Sequence, residues 1–312
     1  MTTGSENTFL PFDYVRLTGG DYACVMRSSG NTSGGLAIPW YSSRQTSTIT
    51  RAVKIEGQLA RKLYRQKSRV DLDAFIHLHY PHALVADPLG GCVVDLAKTA
   101  VEHRFDGCKH FQASHAARRP IDLRPLLELL AAAPEMISST GSWLLGIDTP
   151  ADIDLVIHDN ATGMRAARAI RLLIASRPEA RVQGYWGRAH HHRRFQFGGW
   201  EICVRCSLPD ALVEEYTRCA QFTGGVSGMA CQVIDDSFGH CTPSMYFVKV
   251  ERAGQKWEAG QMVPLISSES RHSFAFRSGE RLYLDGIHAF VSSQGQPFLA
   301  CHMGTVDGIR PV

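Results

Sequence analysis

The sequence predicts an α+β protein: a mixed sheet with helices on one face, flanked by an N-terminal β-rich domain and a C-terminal region with a small β domain. Three observations lead there. Short apolar runs split by glycine pairs fill the first third of the chain. A helix–strand–helix–strand–helix alternation is packed into residues 121–177, and short runs separated by turns return after Ser244. The expected boundaries are 1–115, 116–210 and 211–312. At 312 residues the chain exceeds what one average core needs, so two or three units are the natural division.

In the first unit, Asp13–Val25 holds two apolar runs separated by Gly19-Gly20, a hairpin signal. Asn31–Gly35 is a turn cluster before the run Leu36–Tyr41. Ala52–Tyr64 carries Ile55, Leu59 and Leu63 at a spacing of four and predicts a basic amphipathic helix. Tyr80-Pro81-His82 and Asp87–Gly91 then mark a loop region.

In the second unit, Leu123–Ala133 has a helical pattern and Met136–Thr140 a short β pattern. Gly141-Ser142 opens the next element, and Ile153–Ile157 is an apolar β run. Ala161–Ser176 is a helix with Met164, Ala167, Ile170, Leu173 and Ile174 on its apolar stripe, closed by Pro178. Arg193–Phe197 and Trp200–Cys206, joined through Gly198-Gly199, predict a hairpin beside the sheet. Farther on, Ala211–Ala220 is helical in pattern and Thr223–Gly228 predicts a flexible glycine-rich loop able to cover a site. Met245–Val250, Arg281–Leu284 and Ile287–Val291 are the short strands of the last unit, barrel-like in their spacing.

Composition excludes some functions and only permits others. With 44% apolar and 20% charged residues the chain is a globular one, without a long disordered tract. A net charge of +3 is too small to argue for nucleic-acid binding by itself. No apolar run reaches the ~18–20 residues that cross a bilayer, and the first fifteen residues lack the pattern of a secretory signal. Nine scattered cysteines, an odd number, point to reduced thiols. The expectation is a cytoplasmic protein with no membrane partner.

The stretch that carries chemistry is Ser139-Thr-Gly-Ser-Trp-Leu-Leu-Gly-Ile-Asp-Thr-Pro-Ala-Asp-Ile-Asp-Leu-Val-Ile157. Successive residues of a strand point to opposite faces, so Asp152 and Asp154 project together while Ile153 and Leu155 go to the other side. Two carboxylates that close repel unless a cation lies between them, and hard divalent cations favour such oxygen ligands. Gly141 lets backbone approach a phosphate, and Ser142 adds a hydroxyl at a helix start. Either half alone is commonplace: an Asp-x-Asp on a surface strand, or a Gly-Ser helix cap. Their combination, in order and between a β run and a helix, is the specific signal.

This stretch resembles the signature of the DNA-polymerase-β-like nucleotidyltransferase superfamily, Gly-Ser at a helix start followed by Asp-x-Asp on the next strand. It is especially similar to a family of uncharacterised prokaryotic nucleotidyltransferase-domain proteins, many of them archaeal. The resemblance covers residues 136–177, and more weakly Asp13–Met26. It implies that superfamily's core fold for 116–210 and transfer of a nucleoside monophosphate from an NTP to an acceptor hydroxyl with release of pyrophosphate. Two Mg²⁺ ions, with Mn²⁺ as a substitute, would be held by Asp152, Asp154 and a third carboxylate on a neighbouring strand. Glu201 is the best candidate for that third ligand, although family members more often carry Asp there. Gly141 and Ser142 would hold the β- and γ-phosphates, with Arg193 and Arg194 from the basic run Arg188–Arg194 assisting.

Plainer alternatives stand beside several of these assignments. Glu201 shares its strand face with Cys203 and Arg205 and fits a salt bridge to Arg205 equally well. The Arg188–Arg194 run fits a solvated turn, and its consecutive histidines cannot all face one metal. Cys203 and Cys206 fall on opposite sides of a regular strand, so buried free cysteines are favoured over zinc. The acceptor is expected to be a small molecule (a sugar, nucleoside or antibiotic), with an RNA 3′ end or a protein hydroxyl as alternatives. From a different class, the chain would be a catalytically inactive nucleotide- or nucleic-acid-binding regulator with the same fold.

Overall fold

The protein was analysed as a computed structural model, which describes residues 9–28, 34–44, 52–63, 69–147, 152–184, 192–252, 257–302 and 308–312. The first sheet is built from β1 (Tyr14–Leu17), β2 (Asp21–Ser28), β3 (Gly35–Ser42), β4 (Ala52–Ile55) and β5 (Gln58–Lys62). After helix α1 (Val70–His79) it adds β6 (Leu84–Asp87), β7 (Gly91–Asp95) and β8 (Val101–Phe105). Its main path runs β4-β5-β3-β2-β1-β8, with β7 joining β3 to β6. Alternation sorts its side chains. Val15, Leu17, Ala23 and Val25 pack with Leu72, Phe75 and Ile76 of α1, whereas Tyr14, Tyr22, Cys24 and Tyr41 face the opposite way.

One sequence expectation in this unit is corrected. Ala52–Lys62 is a hairpin, not a helix: Glu56 and Gly57 both take positive φ, +50° and +78°, the tight turn that joins twisted strands. The spacing of four was a coincidence of a short hairpin, and Leu59 is more than half exposed. The loop expected over Asp87–Gly91 is the turn of the β6–β7 hairpin, closed by Asp87 Oδ2 accepting from the backbone N–H groups of Leu89 and Gly90.

Helices α2 (Gly107–Ala117) and α3 (Arg124–Leu130) lead into a five-stranded sheet. Four of its strands are β9 (Ile137–Thr140), β10 (Ile153–Ile157), β11 (Arg194–Phe197) and β12 (Trp200–Ser207), with α4 (Gly141–Leu144) after β9 and α5 (Asn160–Ser176) after β10. β10 pairs antiparallel with β9 and parallel with β12, which carries β11 on its far side. Ile153, Leu155 and Ile157 of β10, with Ile202 and Val204 of β12, pack under Ala166, Ile170, Leu173 and Ile174 of α5. Every residue of β10 is buried, because its other face is covered too: Val156 packs among Tyr14, Cys24 and Tyr41 of the first sheet.

Helix α6 (Asp210–Thr217) precedes the third sheet. Its strands, with β15 interposed, are β13 (Gln221–Val226), β14 (Met229–Phe238), β15 (Cys241–Thr242), β16 (Ser244–Arg252), β17 (Met262–Ser267), β18 (Arg281–Leu284), β19 (Ile287–Val291), β20 (Pro297–Cys301) and β21 (Ile309–Pro311). β15 leaves this region and pairs with β12. The other eight strands run in the order β13-β19-β20-β17-β16-β14-β18-β21. The glycine-rich stretch expected to be a flexible loop is mostly β13, hydrogen-bonded to β19.

The expected fold class is therefore corrected. The chain is β-rich, with 43% of its described residues in strands and 26% in helices. Among the described residues there are three curled sheets and only six helices, rather than a compact polymerase-β-like core with small flanking domains. The physical reason lies in what covers the central sheet. Helices cover one side, but Met245, Ile266, Phe290 and Phe298 of the third sheet enter the same core, and the first sheet closes the other side. No helix among the described residues is long and apolar enough to cross a membrane.

Candidate functional site

Asp152 and Asp154 lie at the N-terminal end of β10, on the face turned towards the first sheet. The antiparallel register sets Asp154 opposite Thr140, the last residue of β9, and the parallel register sets it beside Cys203 of β12. Arg194 of β11 is in turn opposite Cys203. One row across the sheet thus reads Thr140, Asp154, Cys203, Arg194. Thr140 is fixed by its hydroxyl donating to the Phe12 carbonyl oxygen at 2.7 Å, which ties the end of β9 to the N-terminal segment.

Gly141 follows with φ +66°, in the left-handed region that favours glycine. A Cβ here would meet Asp154 Oδ2 at 2.4 Å, so the carboxylate occupies the space a side chain would need. Gly141→Ala should cost about 1–3 kcal/mol from backbone strain alone and push the Asp154 carboxylate out of place. A melting curve and an activity assay on the same sample check both; unchanged values in the two would remove Gly141 from the site.

Both aspartates are buried, at 8% and 6% exposure. Such burial disfavours the charged form and is tolerable only with compensation. Compensation comes from Arg194, whose Nη1 donates to Asp152 Oδ2 at 2.8 Å and also to Glu201 Oε1. Arg205 approaches Asp154 Oδ1 with Nη2 at 3.7 Å, too far for a hydrogen bond, and stacks its guanidinium over Phe12. Asp154 Oδ1 is buried and accepts no hydrogen bond from any described residue. Asp152 titrates above the ordinary aspartate range, first because it is buried and then because Asp154 lies beside it, with Arg194 opposing both.

The sequence-predicted residues thus divide. Gly141, Asp152, Asp154, Arg194 and Glu201 come together on one face. Ser142 follows Gly141 in the first turn of α4 and is half-buried. Arg193 is buried, and its charge acts on the Cys203 thiol. Residues 185–191, which include most of the basic run, and residues 148–151 lie outside the described residues. Cys203 sits in the site row while Cys206 packs on the helix side, both as buried free thiols.

In this structure the Glu201 carboxylate rests on Arg194, whose Nη1 donates to Oε1. Among the described residues no three His, Cys, Asp or Glu side chains converge as a ligand set. Glu201 is neutralised by the Arg194 guanidinium that it shares with Asp152. Glu201→Gln should therefore depress activity by tens-fold, through looser placement of Arg194, rather than by the thousands-fold of a lost metal ligand. A kcat ratio against the unsubstituted protein separates these values.

Two residues of the site were not legible as such. Arg205 was noted only as a salt-bridge partner for Glu201, yet it faces Asp154. Lys62, in the stretch expected to be helical, ends β5 opposite Tyr41. Its ammonium lies 5.7 Å from the Trp40 ring centroid, in the field of Asp154 and Asp152. Strand alternation on both sides of the Glu56-Gly57 turn was the one available signal. No family model matches this sequence, and no curated protein or solved structure matches the chain.

Proposed function

We propose that this protein transfers a nucleoside monophosphate from a nucleoside triphosphate to an acceptor hydroxyl and releases pyrophosphate, with magnesium as cofactor. One observation carries the reading. Two buried carboxylates share a strand face over a glycine that has no room for a side chain, and one carboxylate oxygen, Asp154 Oδ1, has no hydrogen-bond donor among the described residues. A buried acceptor atom without a donor is costly unless a cation or ligand completes it. Asp152 and Asp154 are thus suited in donor type and placement to hold a divalent cation. When bound, Mg²⁺ (or Mn²⁺) would neutralise the carboxylates and the charge that builds on the phosphoryl oxygens. The motif similarity of residues 136–177 supports the same chemistry.

In the proposed reaction the acceptor oxygen forms a bond to the α-phosphorus while the bond from that phosphorus to the bridging oxygen of pyrophosphate breaks. The acceptor proton passes to water. Gly141 leaves backbone accessible to the triphosphate, and Arg194 and Arg205 supply positive charge beside it. The modest net charge suits a small-molecule acceptor such as a sugar, a nucleoside or an antibiotic. An RNA 3′ end or a protein hydroxyl would serve the same chemistry. The test is to incubate the protein with Mg²⁺ and each of the four NTPs, measure pyrophosphate, and search acceptor pools by mass spectrometry for a gain of one NMP. Absence of pyrophosphate with every NTP and acceptor pool would remove the reading.

A second reading is favoured by the Arg194 bridge. A guanidinium shared by Asp152 and Glu201 hydrogen-bonds two of the three carboxylates from within the chain and offsets one of their charges, as a nucleotide-binding regulator without turnover would permit. NTP binding without pyrophosphate release, in the presence of acceptor, selects that reading.

A further inference from the structure

We propose that Lys62 is a phosphate-binding residue of this site, supplied by the first sheet, so that a nucleoside triphosphate is held between two sheets rather than on the central sheet alone. The proposal rests on the nucleotide-binding part of the preceding reading and adds a residue and a surface to it.

Topology makes the case first. β5 lies against β3, with Lys62 opposite Tyr41 and Leu63 N–H donating to the Trp40 carbonyl oxygen at 2.9 Å. This places the end of β5 on the Trp40–Tyr41 segment. Tyr41, with Trp40 packed at its margin, belongs to one apolar cluster with Leu144, Leu145, Ile147 and Val156. Those four residues belong to the chain that follows Gly141 and to the strand that carries Asp154. The same cluster thus fastens the Lys62 end of β5 beside the glycine turn and the aspartate pair.

The electrostatics agree with that placement. Burial pulls the Lys62 ammonium towards its neutral form. Asp154 and then Asp152 are the leading groups that hold its proton on, while Arg205 and Arg194 oppose them. The two aspartates and two arginines of the site thus act on the charge that the strand pairing places at the end of β5. Its Nζ lies 5.7 Å from the Trp40 ring centroid, and the ring face steadies a cation there.

The chemistry follows from what enters. A triphosphate carries about four negative charges, and the two charges of a divalent cation on Asp152 and Asp154 are already matched by those carboxylates. The ligand's charge calls for cations on its side away from β10, and Lys62 is the ammonium that the first sheet brings there. A lysine acts as a compact point charge towards phosphate, complementing the forked guanidinium groups of Arg194 and Arg205.

The experiment is calorimetric titration of the full chain with Mg²⁺ and, separately, ATP, GTP, CTP and UTP, followed by the NMP and nucleoside of whichever base binds best. Lys62→Gln should weaken NTP binding about 10- to 100-fold and leave nucleoside binding within about twofold, while Lys62→Arg restores most of the NTP affinity. A melting curve on each variant confirms that the sheets remain packed. If the unsubstituted chain binds the NTP and Lys62→Gln binds it equally well, Lys62 is not a phosphate ligand and the proposal falls alone. If NTP and nucleoside affinity fall together, Lys62 acts on the shape of the site and the proposal is likewise overturned. If the chain binds no NTP at all, nucleotidyl transfer falls first and this proposal with it. A loss seen with an acceptor's phosphate, but not with the NTP, would also overturn the assignment, because it would place Lys62 on the acceptor side.

Discussion

Asp154→Asn is expected to lower NTP-dependent pyrophosphate release by roughly a thousandfold or more, with Asp152→Asn close behind. Both side chains point from one end of β10 to the same face, and both are nearly shut off from solvent. The substitution preserves shape and removes one charge, so the packing of Val156 and Ile153 on either side should survive. The two variants should still differ in the absence of metal. Asp152→Asn leaves Glu201 as a partner for Arg194. Asp154→Asn leaves Arg205, a half-buried guanidinium, facing a neutral amide at 3.7 Å. Asp154→Asn should therefore melt below Asp152→Asn, with the activity loss far exceeding what either melting shift explains. Retention of a tenth of the activity by either variant would place the chemistry elsewhere.

Acid should unfold this protein early, before its carboxylates titrate. Four histidines are held strongly in the neutral form: His272 is pulled down to about 3, mainly by burial and further by Arg271, and His158, His240 and His302 to about 4, in each case mainly by burial. His272 Nδ1 lies 2.6 Å from Ser267 Oγ, and His158 Nε2 lies 2.8 Å from Ser138 Oγ, so each ring is held inside a packed wall. In the unfolded chain these rings titrate near 6.5. As the pH falls through that value the unfolded state binds protons that the folded state refuses, so stability is lost. It is whole above about 6.5 and declines by about 1.4 kcal/mol per pH unit for each histidine down to the folded values. Stability from urea unfolding measured between pH 7 and pH 5 should fall with a slope that approaches about four protons near pH 5, and His158→Gln should remove about one of them. Unchanged stability across that interval would mean that these rings titrate normally.

The segments whose local pattern agrees with their tertiary setting were legible in the sequence. Ile153–Ile157 forms its strand over the expected residues, and the expected helix Ala161–Ser176 starts one residue early at Asn160. Its apolar stripe meets the faces of β10 and β12 as period and alternation require. The hairpin across Gly198-Gly199 was equally plain, because two positive-φ glycines between strand-like runs leave few other outcomes. In the site, the common face of Asp152 and Asp154 follows from strand geometry alone, and so does the need for a residue without a side chain at position 141 once that turn meets the second aspartate.

Tertiary structure decided the rest. Whether Ala52–Lys62 coils or folds back depends on a two-residue turn and on β3 being there to receive β5, a partner that spacing within the segment cannot reveal. The identity of the groups facing Asp152 and Asp154 is likewise a matter of which sheets meet. Lys62 is ninety residues before Asp152, and Arg194 and Arg205 are forty-two and fifty-three residues after it. Pairing and packing bring them together. The sequence by itself determined the two carboxylates and the glycine turn beneath them, because those relations are local to a strand and a turn. Only the tertiary structure decided that Arg205 and Lys62 join Arg194 beside the aspartates, and that the central sheet is enclosed on both faces. Burial against a distant sheet depends on contacts that no local period encodes.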